Sequence, residues 1–63
     1  MKAFQITYKN ETSEWLPTME KVQEEAAKLE KIGIVSLTIN MFVDRVLAKS
    51  VNYDYTGESW ERV

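Results

Sequence analysis

Residues 34–55 read IVSLTINMFVDRVLAKSVNYDY, and the period of this stretch decides the fold. In its first half Val35, Leu37, Ile39, Met41 and Val43 alternate with Ile34, Ser36, Thr38, Asn40 and Phe42. Asp44 and Arg45 interrupt. Leu47, Lys49, Val51, Tyr53 and Tyr55 then alternate with Val46, Ala48, Ser50, Asn52 and Asp54. Two alternating runs across a polar break predict a β-hairpin, with strands over 34–43 and 46–55. A helix over 36–49 is the rival, with Leu37, Met41, Phe42, Val46 and Leu47 on one side. Dense β-branching and the length of the alternation argue against it.

The hairpin register follows from burial. A two-residue loop at Asp44 and Arg45 sets Val43 opposite Val46 and puts the apolar row of the first strand on one face with Ala48, Ser50 and Asn52. A three-residue loop of Val43, Asp44 and Arg45 pairs Met41 with Leu47, Leu37 with Val51 and Val35 with Tyr53, which gathers the apolar side chains. The expectation is therefore the three-residue loop, with Arg45 at positive φ.

Working outward, Met19, Val22, Ala26 and Leu29 recur at helical spacing, which predicts a helix over 17–32 with one apolar stripe. Pro17 suits its first turn and Gly33 its end. Glu24 and Lys28 form an i,i+4 pair, and Trp15 and Leu16 are expected to fold under the helix start. Over 2–8, Phe4, Ile6 and Tyr8 alternate with Ala3, Gln5 and Thr7, a half-buried strand. Residues 9–14 are polar and read as a loop. Thr56 and Gly57 signal a turn, after which the tail returns as a short fourth strand or frays.

The expected architecture is α+β in the order β-α-β-β, one small domain over 1–63. It is a three-stranded, mostly antiparallel sheet with one helix on one face. In one order the third strand lies between the first and second, with the helix as a right-handed crossover. In the other, the more apolar second strand is central and the third is an edge.

Composition narrows the function. Sixty-three residues contain neither Cys nor His and only two Gly. Disulfides, thiolate and imidazole metal ligands, His- or Cys-based nucleophilic catalysis and glycine-rich phosphate loops are all excluded. Ser36 and Ser50 have no base beside them in sequence, and the carboxylates lie on the helix's wet face, the hairpin tip and the tail. The expectation is a non-enzyme without cofactor or metal. Asn10-Glu11-Thr12 matches a glycosylation acceptor by chance. No apolar run is long enough for a membrane span, and residues 1–6 read as strand and not as signal peptide, so the expected location is cytoplasmic.

For a chain this short, burying apolar surface returns about 96 kcal/mol, and ordering the chain costs about 95 kcal/mol. Association with a second copy is the expected source of extra stability. The net charge of −2 and the separation of aromatics from Lys and Arg disfavour nucleic-acid binding.

Two features stand out. The face opposite the helix is expected to show Ala3, Gln5, Thr7, Ser36, Thr38, Asn40, Ala48, Ser50 and Asn52, with Phe42 and Val46 near the tip. None of these is charged. The tail holds Tyr53, Tyr55 and Trp60 among acids; Tyr53 is expected to close the core, while Trp60 either caps its edge or meets a partner. The candidate interface is Thr7, Thr38, Asn40, Phe42, Val46, Ser50 and Trp60. The functional expectation is a protein-interaction module, an adaptor, inhibitor or accessory factor that binds a larger protein and self-associates, with a homodimer favoured, through the sheet face or an edge strand. The alternative is a nucleic-acid-associated regulator.

Overall fold

A computed structural model describes all of residues 1–63. The elements are β1 (Lys2–Tyr8), β2 (Glu11–Thr12), α1 (Met19–Lys31), β3 (Ser36–Val43), β4 (Val46–Tyr55) and β5 (Trp60–Arg62). The strands form a sheet in the order β2-β1-β3-β4-β5, antiparallel at every pairing. The expected three-stranded sheet is thus corrected to five strands. The placement of the third long strand between the first two also fails. β3, the most apolar, is central, and β5 covers the C-terminal end of β4.

Both added strands arise from turns. Lys9 and Asn10 have φ of 45° and 65°, the paired positive values of a two-residue type I′ loop, whose twist suits a hairpin. This turn sets Tyr8 opposite Glu11 and makes β2 from residues read as loop. The chain then continues along β1, where Phe4 and Leu16 exchange both backbone hydrogen bonds at 2.8 Å. At the other edge Gly57, at φ 102°, lets Thr56 N–H donate to the Ser59 carbonyl at 2.9 Å, and β5 returns on β4.

The β3–β4 hairpin corrects the expected register. Asp44 and Arg45 have φ of 50° and 67°, and Val43 pairs with Val46 across a two-residue loop. Phe42 pairs with Leu47, but Met41 pairs with Lys49, so Ala48 is an extra residue in β4. From there Ile39 faces Val51 and Leu37 faces Tyr53. Arg45 does have positive φ, but for a different reason than the three-residue loop. The tight turn satisfies the sheet's twist, and the β-bulge shifts β4 by one residue so that its apolar row still meets that of β3.

Helix α1 begins two residues later than expected. Thr18 is its N-cap, its Oγ1 accepting from Lys21 N–H at 3.2 Å, and Pro17 lies outside. At the other end Gly33, at φ 91°, donates to the Glu30 carbonyl at 3.0 Å, and Ile34 N–H donates to Leu29 at 2.9 Å. This double closure needs a left-handed residue, which glycine provides without strain. It also moves Ile34 out of the strand and into the core. Lys28 pairs with Glu25 at 3.4 Å and not with Glu24, which faces Lys21 at 3.8 Å.

The core lies between α1 and one face of the sheet. Phe4, Ile6 and Leu37 meet Val22, Ala26 and Leu29, with Leu16 and Ile34 closing the two ends. Tyr8, Ile39, Met41, Tyr53 and Trp60 pack around it half-buried. These eight buried residues make a small core. A compact monomer of this mass exposes about 4,200 Å², whereas this chain exposes 4692 Å². The molecule is elongated, 34 × 20 × 19 Å. No helix is long and apolar enough to cross a membrane.

Candidate protein-interaction surface

The face of the sheet away from α1 is built by alternation. Residues flanking the core-facing Phe4, Ile6, Leu37 and Ile39 point outward, and the register brings Gln5, Thr7, Thr38, Asn40, Ser50 and Asn52 into rows across three strands. Their side chains pair with one another. Asn40 Nδ2 donates to Thr7 Oγ1 at 2.8 Å, and Ser50 Oγ donates to Asn40 Oδ1 at 2.8 Å. Thr38 Oγ1 donates to Asn52 Oδ1 at 2.7 Å, and Ser36 Oγ donates to Asp54 Oδ1 at 2.8 Å. Each short side chain finds its partner one strand away, so the rows carry part of their own hydrogen bonding without water.

Toward the hairpin tip this face becomes apolar. Phe42 lies between Ala3 and Leu47 in register. Trp15, expected beneath the helix, instead crosses to this side and meets Phe42 edge to face, with ring centroids 4.9 Å apart. Leu16 does enter the core, because neighbours in an extended chain point to opposite faces. The small Ala3, whose strand neighbour Phe4 is bridged to Leu16, lies in the row between Trp15 and Phe42. Trp15 and Leu47 remain 53% exposed each. Beside them an open hollow of about 660 Å³ is lined by Met1, Ala3, Trp15, Asp44 and Arg45. The Met1 amino group lies 2.6 Å from Asp44 Oδ1.

Five of the seven residues singled out in the sequence meet on this face: Thr7, Thr38, Asn40, Phe42 and Ser50. Two do not. Val46 pairs with Val43 on the helix side of the turn, because the two-residue loop leaves Leu47, not Val46, beside Phe42. Trp60 also lies on the helix side, packed on Tyr55 with centroids 5.3 Å apart and lining a hollow with Met19 and Tyr53. Trp15 and Leu47 are the residues sequence reasoning missed. The extended residue before a buried Leu16 was the available signal for Trp15; nothing local marked the bulge that places Leu47.

The remaining chemistry is sparse. No group of three or more Asp or Glu gathers as a metal site, and no buried side-chain polar atom lacks a hydrogen-bond partner. The Tyr55 phenol is perturbed. Loss of water around it, and then the facing Glu30 carboxylate, push its pKa above the ordinary tyrosine value. No protein-family model, characterised protein or solved structure matches the chain.

Proposed function

We propose that this chain is a non-catalytic protein-interaction module that pairs with its own copy through the outer face of the sheet and offers its other side to a larger protein. The observation that carries this reading is the apolar row of exposed Trp15 and Leu47 about half-buried Phe42, continuous with rows of uncharged, mutually hydrogen-bonded side chains.

Size supports a second copy as the occupant. The molecule's two longer dimensions are 34 and 20 Å, so one whole side of it is on the scale of the roughly 800 Å² that each partner buries in a standard interface. The surplus of about 500 Å² over a compact monomer is surface of the kind an interface removes. Burying the polar rows is eased because part of their hydrogen bonding is already made within the sheet. A two-fold axis along the strands near Phe42 stacks the two Phe42 rings and lays Leu47 over the partner's Trp15. Apolar row then meets apolar row, and the two sheets pack face to face.

Sedimentation equilibrium over micromolar concentrations tests the reading. The wild-type chain is expected at twice its monomer mass. Leu47→Glu is expected to be monomeric with an unchanged far-ultraviolet circular dichroism spectrum, since Leu47 lies outside the core. A wild-type monomer throughout that range contradicts the reading.

A further inference from the structure

Helix α1 covers only part of its own side of the sheet. An α-helix is about 10 Å across, whereas the sheet is five strands wide near Leu37 and Tyr53 and three strands wide beside Ile39 and Met41. α1 packs mainly on β1, over buried Phe4, Ile6 and Leu37, and its last turn reaches β4, where Glu30 faces Tyr55. Farther across, Ile39, Met41, Val51 and Tyr53 stay half-exposed on the same face. The uncovered strip runs along β3 and β4.

The strip has a socket, a neutral wall and a basic wall. Between α1 and the sheet a hollow of about 200 Å³ is lined by Met19, Ala26, Ile39, Tyr53 and Trp60 among others. That is below the roughly 300 Å³ at which small-molecule sites begin, and suits one or two apolar side chains. Beside the hollow the α1 rim is Met19 and Gln23, without charge; the one α1 carboxylate that reaches β4, Glu30, lies beyond it against Tyr55. On the β4–β5 side it is Lys49, the register partner of Met41, and Arg62, the register partner of Tyr53, so both stand on this face. Neither takes part in an ion pair within the chain.

We infer that this strip seats an amphipathic helix of another protein, one that drives a narrow apolar stripe into the hollow and turns an acidic flank to Lys49 and Arg62. A second copy's α1 does not fit the description, because its Val22, Ala26 and Leu29 are already spent on its own core. The inference rests on the interaction-module reading but uses the opposite face of the sheet, so the two can fail separately. A helix laid in an apolar groove, with charge on the rim choosing its orientation, is a common recognition mode.

The test uses the full chain and two designed helical peptides with the same Leu stripe at i, i+3, i+4 and i+7. One carries Glu along one flank and the other carries Lys. The expected result is at least about tenfold tighter binding of the Glu peptide at low salt. Amide shifts should concentrate at Met19, Ile39, Met41, Val51, Tyr53 and Trp60. The double variant Lys49→Glu with Arg62→Glu, both at exposed positions, is expected to reverse the preference while keeping the fold. Equal affinity for the two peptides, no binding of either at about 1 mM, or shifts confined to Thr38, Asn40 and Phe42 would overturn the inference. So would a random single-stranded oligonucleotide that binds Lys49 and Arg62 more tightly than the Glu peptide does. Failure here with the sedimentation dimer intact sinks only the helix groove, whereas loss of the dimer with peptide binding intact sinks only the outer-face pairing.

Discussion

Trp15 and Phe42 meet edge to face, their ring planes at 76° and their centroids 4.9 Å apart, on the side of the sheet away from the helix. Twenty-seven positions separate them in sequence, and β1 lies between the segment that carries Trp15 and the strand that carries Phe42. Such a pair contributes about 0.5–1.5 kcal/mol beyond the area it covers. Trp15 is half in solvent, and in the proposed self-association it extends the apolar row toward the second copy. Trp15→Ala is therefore expected to lower monomer stability by about 1 kcal/mol and to weaken self-association at least tenfold. Urea unfolding and sedimentation read the two effects apart.

The core is small enough for one truncation to matter. Ile6 is fully buried at the centre of β1, paired with Ile39 and packed among helix and sheet residues. Ile6→Ala is expected to cost about 2–5 kcal/mol through lost contacts and a residual cavity. That is comparable to the whole stability of a chain this size, about 3–5 kcal/mol. The variant should lose its cooperative urea transition at 25 °C. A loss below about 1 kcal/mol would mean that the core is not where it is drawn.

Arg45 has φ of 67° with a β-carbon that disfavours it. Arg45→Gly is expected to stabilise the monomer by about 0.5–1 kcal/mol, and Arg45→Val to destabilise it by about 1–2 kcal/mol. Thermal melts of the two variants in a Leu47→Glu monomer background give the comparison without association. Equal melting temperatures would contradict the two-residue turn.

On the outer face Asn40 joins β1 to β4 through Thr7 and Ser50. Asn40→Ala removes both bonds at a half-buried position and is expected to cost about 1–2 kcal/mol. Ser50→Ala, which removes one bond at an exposed position, should cost clearly less. Chemical denaturation of both variants ranks the two.

Tyr55 connects the tail to the end of the helix. Its phenol sits above the ordinary value of 10.0 because it is shielded from water and faces Glu30. The folded chain therefore holds this proton more tightly than the unfolded one. The contribution to stability is complete below pH 10.0 and is lost as pH rises through the folded-state pKa. The ultraviolet difference titration of wild type against Tyr55→Phe isolates this group. Glu30→Gln is expected to bring its midpoint down toward the ordinary value.

The long elements were legible because each repeats a period many times. Phe4, Ile6 and Tyr8, the run from Leu37 to Met41, and Val22, Ala26 and Leu29 each mark one face of a strand or helix. The short strands were not. Glu11 and Thr12 make too brief a run to show alternation, and their pairing depends on a turn in which Lys9, a residue with no turn preference, takes positive φ beside Asn10. Burial correctly demanded that Val51 and Tyr53 share a face with Leu37 and Ile39. Two backbone solutions meet that demand, a longer loop or a tight loop with a bulge at Ala48, and side-chain period alone cannot choose between them. The candidate face was readable wherever strands alternate regularly, at Thr7, Thr38 and Asn40. It was misread beside the tip, where the shorter loop exchanges Val46 for Leu47, and at Trp15, whose outward turn follows from a backbone bridge to Phe4.

Isotope-filtered NMR on an equimolar mixture of labelled and unlabelled chains tests the central claim most directly. Pairing through the outer face predicts intermolecular NOEs from the Trp15 indole to the Leu47 methyls and between Phe42 rings, with none from Ile39, Met41 or Val51. Intermolecular NOEs from that helix-side strip alone, or none at all under conditions where the wild-type chain is concentrated well into the micromolar range, would contradict it.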